Sequence, residues 1–438
     1  MGIRIFLAAV VVEIIFAFLC ISTRSNQQRV RSIIRIGAFV CFVLLSIFSV
    51  LEWSLRYYSL ATLLLFLATL GTVSLIHKGR EKRSYKTSRV IFKAIGMTLL
   101  IFLFALPSIL FPQHEMVKPT GEYQVTTATY SYTDTKRSET YSDNDGYRVL
   151  NVEMWFPKSA EGTFPLIVFS HGAFGIRTSN TSLYHELASH GYVVCSIDHT
   201  YQCLYTRGEE GHTILMDKGY VKELSDENAY VDKQQSYEFY QKWMKIRTGD
   251  MNFVIDTILA KVQVTDTDTV YKRIDTTKIG VMGHSLGGSA ALGIGRERSD
   301  ISAVIALESP FMCDITGVEK GAFVFTDAIY PVPVLNVYSD QGWGLLASAP
   351  HYAENYALLS TTNANAFSIH ISGVGHLTLT DLALESPILT RLLNGKKSTT
   401  GSVYCLKTIN EVCLDFFDSY VKDKHNFTST ETCCMIER

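Results

Sequence analysis

Four apolar runs fill the first 111 residues of the chain, at roughly 3–22, 33–51, 60–76 and 90–111. Each approaches the roughly 20 residues a helix needs to cross a hydrocarbon core, where the backbone must satisfy its own polar groups. A secretory signal peptide accounts for one such run, not for four in succession. The pattern therefore predicts four transmembrane helices, and the connections between them set an orientation. Arg24, Arg29, Arg31 and Arg35 lie at the first connection and Lys78, Arg80, Lys82, Arg83, Lys86 and Arg89 at the third, whereas the middle one has only Arg56. Basic connections stay in the cytoplasm, so both ends of this block, and everything after Phe111, are expected on the extracytoplasmic side of a cell membrane. The basic clusters also suit contact with anionic lipid headgroups.

Beyond Pro112 the composition becomes mixed. The chain divides into the membrane block over 1–111, a linker over 112–122, an α/β domain over 123–425 and a tail over 426–438. Strand-like alternation appears at 123–130 and 147–156. The runs at 165–170 and 192–198 are largely apolar, as in strands covered on both faces. Helical stretches at 182–190, 253–261 and 288–296 alternate with strands at 278–282, 303–307 and 332–338. Such alternation implies a mostly parallel sheet flanked by helices. The segment at about 201–245 interrupts the rhythm: it is long, polar and rich in tyrosine. An insertion of this length reads either as a lid or substrate wall, or as an exposed decoration.

One stretch of the domain carries chemistry. Gly283-His284-Ser285-Leu286-Gly287 is a G-x-S-x-G pentapeptide between a short apolar strand and a run of small, helix-compatible residues. That context is a sharp strand-to-helix turn that lifts a serine hydroxyl clear of the backbone. Serine is a weak nucleophile until a base takes its proton and an acid orients the base. In turns of this kind the partners follow in the order serine, acid, histidine. His376 fits the base, because it lies in the glycine-rich loop Ser372-Gly373-Val374-Gly375-His376 after a strand at 366–371. His370 falls inside that strand. For the acid, Glu308 and Asp340 each follow a strand directly, and Asp314 is a more remote choice; spacing does not separate them. The oxyanion that develops at an attacked carbonyl also needs donors. The backbone N–H of Leu286 is one; the N–H of Ala173, in the His171-Gly172-Ala173 loop after the strand at 165–170, is the expected second. His199 reads equally as a pocket residue or a buried structural one.

Charge and cysteine content narrow the alternatives. A formal net charge of −2 gives no reason to expect a nucleic-acid partner. The nine cysteines form no C-x-x-C pair and no His/Cys grouping with zinc-site spacing, so no metal or other cofactor is expected. Cys433 and Cys434 adjoin in the tail, and two N-x-[ST] sequons stand at Asn180 and Asn426.

Phe169-Ser170-His171-Gly172, Asp198-His199, Gly283 to Gly288 and Ala306-Leu307-Glu308 together resemble the secreted, plasma-type platelet-activating-factor acetylhydrolases and their bacterial lipase and esterase relatives. The resemblance spans roughly residues 121 to 376 and leaves out the four apolar runs. It implies an α/β-hydrolase fold, no metal, and hydrolysis of carboxylic esters. It also implies that Glu308 is the triad acid, where the family usually has Asp, and that Asp340 matches a position kept polar without that role. The expectation is a membrane-anchored serine ester hydrolase acting on small-molecule or lipid esters through Ser285, His376 and Glu308, with the bilayer as its neighbour. A peptidase or acyltransferase on the same triad, and an inactive hydrolase-like membrane protein, are the competing readings.

Overall fold

In the computed structural model, residues 1–77, 85–142, 146–159, 161–208, 211–264, 268–360 and 365–427 are described. The chain divides into two units, Met1–Glu115 with Leu384–Thr390, and Met116–Ala383 with Arg391–Arg438.

The first unit is built on four helices, α1 (Gly2–Ser22), α2 (Gln28–Ile47), α3 (Leu55–Ile76) and α4 (Thr87–Leu110). All four are long and apolar enough to cross a membrane. Their apolar side chains point outward as well as inward: Phe18 is 71% exposed, Leu55 79% and Phe92 77%. A helix apolar on every side needs an apolar surround. α2 starts ahead of its apolar run and takes Arg29, Arg31 and Arg35 into its length, and α3 starts ahead of 60 because Tyr57 is buried with Leu60, Phe42 and Ala105. Lys78, Arg80, Lys82 and Arg83 lie outside the described residues.

The second unit contains strands β1 (Val125–Ser138), β2 (Tyr147–Pro157), β3 (Phe164–Ser170), β4 (Val193–Asp198), β5 (Tyr205–Arg207), β6 (Thr213–Leu215), β7 (Ile274–His284), β8 (Ile301–Leu307), β9 (Ile315–Glu319), β10 (Ala322–Phe325), β11 (Val334–Ser339) and β12 (Ala366–Ile371). Eight of them form one sheet in the order β1-β2-β4-β3-β7-β8-β11-β12. β1 and β2 run antiparallel to their neighbours, and from β4 to β12 the sheet is parallel. Every residue of β3, β4 and β11 is buried, which is why apolar residues dominate these strands. Among the helices, α5 (Thr181–Ser189), α6 (Lys218–Asp226), α7 (Lys233–Val262), α8 (Leu286–Glu297), α9 (Asp340–Leu345), α10 (Ala353–Ser360), α11 (Leu382–Glu385), α12 (Pro387–Leu393) and α13 (Ser402–Tyr420), α5 packs with α13 and α7 with α8. The fold is α/β, a mostly parallel sheet flanked by helices. After β3 the chain adds β4 on one side, then returns to lay β7 on the other. A crevice opens at the carboxyl ends of the strands at such a reversal, and ligands settle there.

Three sequence expectations need amending. The helix expected at 253–261 is the last third of α7, which starts at Lys233 with the Asp232 side chain accepting from Gln235 N–H. Its first half reads as polar because only one stripe is apolar: Tyr240, Trp243 and Met244 are buried. The segment 201–245 is consequently neither loose nor wholly exposed, since it holds the β5–β6 hairpin, α6 and this half-helix, and buries Tyr220 as well. The stretch expected as a linker is docked from Met116 onward: Thr120 N–H donates to Glu186 (2.9 Å) and Gly121 N–H to Ser189 (3.1 Å), both on α5. At the other end Phe427 packs on Phe367 and Phe416, and the remainder of the tail, with Cys433 and Cys434, lies outside the described residues. Asn180 is buried and its amide donates to Leu379 O (2.9 Å), so that sequon offers no accessible acceptor.

Candidate active site

β7 carries the chain to His284, and α8 begins at Leu286. Between them Ser285 sits at φ 55°, ψ −127°, a conformation that costs a side-chain-bearing residue free energy. The turn is held by Ser285 N–H donating to Leu307 O of β8 (2.9 Å) and Ser289 N–H donating to Ser285 O (3.1 Å). Space enforces the glycines. A Cβ on Gly283 would lie 2.3 Å from the Gly287 carbonyl carbon, and one on Gly287 would lie 2.0 Å from Ser170 O at the end of β3. The amide of Leu286 is at the first turn of α8, where N–H groups have no helical partner and the helix dipole is positive. Ser285 Oγ has no hydrogen-bond partner among the described residues.

The carboxylate and the imidazole come from two further strand ends. Glu308 follows β8 at φ 50°, its N–H donating to Val337 O of β11 (2.7 Å). Its carboxylate is buried; Oε2 accepts from Ser339 N–H (2.6 Å) and Oε1 from His376 Nδ1 (2.7 Å). Burial pushes the Glu308 carboxyl up, but the hydrogen bonds from His376 and Ser339 outweigh it and leave it below its ordinary value. His376 follows β12 at the start of a short 3₁₀ turn and is partly exposed. Its neighbour His284 lies with ring centroids 4.5 Å away, Nε2 donating to His376 O (3.2 Å). Burial, then the charge of His376, holds the His284 imidazole down to about 3, so it is neutral.

Asp340 takes another place. Its Oδ1 accepts from His370 Nε2 (2.9 Å), and both oxygens accept from Gly373 N–H (3.1 Å). Together with its own N–H, which donates to Val374 O (3.1 Å), Asp340 clamps the loop that carries His376 without touching the imidazole. Asp314 is paired with Arg296 (2.6 Å). Of the three acids the sequence nominates, Glu308 is the one bonded to His376.

The loop after β3 closes the group. A Cβ on Gly172 would come within 3.1 Å of Ser285 Cβ and 2.9 Å of His284 Nδ1, so Gly172 allows the loop to lie against the serine. Ala173 follows, and then Phe174 at φ 60° and 52% exposure. Behind the loop is a polar cluster that sequence reasoning does not find. Ser170 Oγ donates to His199 Nε2 (2.7 Å), His199 Nδ1 to Asp250 Oδ2 (2.8 Å), and Arg148 grips Asp250 through Nε (2.8 Å) and Nη2 (2.6 Å). Arg137 adds a contact to Asp250 (2.9 Å), and Arg247 donates to His171 O. Ser170, His199 and Asp250 are each 0% exposed. Burial, then the charge of Arg247, lowers His199 to about 4. Burial raises the Asp250 carboxyl, but the charge and hydrogen bonds of Arg148 more than reverse this and hold it far below the usual carboxylate range.

The ligand atoms of His171, Asp198 and Cys203 lie within 4.8 Å of one another. They do not fit a metal ion. His171 Nδ1–H donates to Gly172 O (2.7 Å) and Nε2 accepts from His199 N–H (3.3 Å), while Asp198 accepts from Arg177 and from Thr206 Oγ1 (2.7 Å). The donor pairs a metal would need are already engaged.

The family profile described as "Platelet-activating factor acetylhydrolase, isoform II" matches residues 146–435. The platelet-activating factor acetylhydrolase of Canis lupus familiaris is 30% identical over 280 residues, covering 60% of this chain and 59% of its own. That of Gallus gallus is 28% identical over 283 residues, covering 60% and 64%. Cutinase est1 of Thermobifida alba is 26% identical over 154 residues, covering 35% and 38%. The match thus spans about three-fifths of the length of these two acetylhydrolases. Among solved structures, a ferulic acid esterase from Streptomyces cinnamoneus superposes with a TM-score of 0.53 at 21% identity, over 71% of this chain and 94% of that one, a likeness of fold.

Proposed function

The chain belongs to the platelet-activating factor acetylhydrolase, isoform II, family, and on that premise we propose that it is a membrane-anchored serine hydrolase of carboxylic esters. Ser285 is the nucleophile, His376 the base, Glu308 the acid, and the N–H groups of Leu286 and Ala173 hold the oxyanion. The observation that carries this reading is the 2.7 Å bond between His376 Nδ1 and the buried Glu308, on an imidazole whose ring lies 4.5 Å from that of His284, the residue before a serine held at positive φ.

The chemistry follows from which nitrogen is free. With Nδ1–H given to Glu308, Nε2 is the bare nitrogen that takes the Ser285 proton as Oγ attacks the ester carbonyl. The oxyanion forms between the two amides, and Nε2–H passes its proton to the departing alcohol. Water then attacks the acyl-serine by the same route, with Nε2 again as base. The buried carboxylate stabilises the imidazolium in both halves. Two features support a lipid ester as substrate: Phe174 and Leu204, 52% and 51% exposed, flank the oxyanion loop, where Leu204 N–H donates to Gly175 O (3.0 Å). Such apolar side chains suit an acyl chain, and four membrane-crossing helices keep the enzyme beside its source.

Ser285→Ala is the test. Turnover of a p-nitrophenyl ester by the full chain in detergent should fall at least ~10⁴-fold; undiminished turnover would end this reading. The basic connections favour an extracytoplasmic hydrolase domain, so protease added to intact cells should remove a C-terminal tag, and a protected tag would reverse the orientation.

A further inference from the structure

The loop that supplies the second oxyanion donor has no regular secondary structure to hold it, yet its peptide orientation decides whether the donor exists. The Gly172–Ala173 peptide is trans, so its C=O and N–H point in opposite directions. In the Ser285 reading the Ala173 N–H faces the serine, and turning that plane over would carry it away. The carbonyl end is fastened twice: Gly172 O accepts from His171 Nδ1–H (2.7 Å) and from Gly175 N–H (3.2 Å). The imidazole that does this is itself fixed. His171 is 0% exposed, and its Nε2 accepts from the backbone N–H of His199 (3.3 Å), which leaves Nδ1 as the protonated nitrogen. His199 cannot drift, because its own ring is bonded at both nitrogens, to Ser170 (2.7 Å) and Asp250 (2.8 Å). Arg148 holds Asp250 bidentately, and Arg247 holds the His171 carbonyl while its Nε donates to Gln202 (2.9 Å).

We propose that His171, braced by the Ser170–His199–Asp250 chain, is a positioning residue that locks the Gly172–Ala173 peptide so that the Ala173 N–H serves as an oxyanion donor. The proposal rests on the Ser285 reading and goes beyond it. His171 touches no substrate atom; its work is done through one peptide plane. A neutral imidazole is required, since a proton on Nε2 would face the His199 N–H. Burial, followed by the charges of Arg247 and His199, keeps His171 well below its ordinary value and so in that state.

A donor that acts only on the oxyanion leaves ground-state binding alone, so its loss lowers kcat and spares KM. The test measures kcat and KM for p-nitrophenyl butyrate, and Ki for an aryl trifluoromethyl ketone whose serine adduct carries an oxyanion, on the full chain in detergent. His171→Phe fills the space without either ring bond. It should lower kcat about 100-fold, the scale of one lost oxyanion donor, keep KM within about threefold, and raise Ki by the same factor as kcat falls. His171→Asn, which keeps a donor for Gly172 O, should recover about tenfold of that loss. If the phenylalanine variant does not fold, the asparagine variant carries the test through the same parallel loss of kcat and ketone affinity. A folded variant whose ketone affinity is unchanged, or whose KM alone rises, overturns the lock. Parent turnover that survives Ser285→Ala would instead overturn the functional reading, and the lock with it.

Discussion

Of the serine–histidine–carboxylate groupings in the hydrolase unit, two adjoin the ends of the neighbouring strands β3 and β7, and the better bonded of these two is not the one that fits catalysis. Ser170, His199 and Asp250 are joined at 2.7 and 2.8 Å, wholly buried, with the carboxylate neutralised by Arg148. Around Ser285 only the His376–Glu308 bond is made, and serine and histidine are both partly open to solvent. The backbones differ as well. Ser170 ends a regular strand, whereas Ser285 is raised at positive φ on a turn that also presents the Leu286 amide. A relay with every hydrogen bond satisfied, no access and no oxyanion site is a brace. A grouping with an unbonded hydroxyl on a turn at positive φ, and an imidazole held only through Nδ1, is a candidate for chemistry.

Breaking each set separately sharpens the contrast. Glu308→Gln should cost ~10³–10⁴-fold in kcat on a p-nitrophenyl ester, because an amide neither fixes the Nδ1–H tautomer nor stabilises an imidazolium. Asp340→Asn, which loosens the His376 loop without reaching the ring, should cost about tenfold or less by the same logic of indirect effect. Equal losses in the two variants would remove the distinction between them. In the buried set the expected damage is to stability. Asp250→Asn removes the bidentate partner of the buried Arg148, leaving it Glu139 (2.7 Å) and Thr200 O (3.0 Å), and should destabilise the hydrolase unit by about 3–5 kcal/mol in urea titrations. Ser170→Ala leaves His199 Nε2 without its donor and should cost about 1–3 kcal/mol, with labelling of Ser285 by a fluorophosphonate retained.

The last effect is a slope. His171, His199 and His284 are all held below their ordinary 6.5, the last two to about 4 and about 3, by burial first and neighbouring positive charge second. Depressed histidines are neutral when folded and protonated when unfolded, so the unfolded chain binds more protons between those values. Stability should therefore fall as pH drops from about 6.5 toward 4, by about 1.4 kcal/mol per pH unit for each histidine. Urea midpoints that stay level or rise from pH 6 to pH 5 would contradict it, and His199→Phe should flatten the slope by one proton.

How far these features can be read in the sequence depends on how local their causes are. β3, β4 and the end of β7 are legible because burial on both faces makes apolar residues dominate a short run. The serine turn is legible because its glycines answer contacts made within five residues of one another and with the adjacent strand end. The start of α7 is not, since its apolar stripe of Tyr240, Trp243 and Met244 is narrow and sits in a polar sequence; the signal available is Asp232 as a cap. The choice between Glu308 and Asp340 is illegible for a different reason. Both follow neighbouring parallel strands with equivalent chemistry, and which one meets His376 depends on strand register and on the Gly373 amide that occupies Asp340. The buried brace is hardest of all: Arg148 and Asp250 are 102 residues apart, and each alone reads as a solvated charge.

Of Ser170 and Ser285, each set with a histidine and a carboxylate, the less bonded one is expected to react. Treating the full chain with a fluorophosphonate and locating the adduct by peptide mass spectrometry tests it directly. The adduct should fall on Ser285, with Ser170 unmodified and labelling lost in Ser285→Ala. An adduct on Ser170, or one that persists in that variant, would contradict the account.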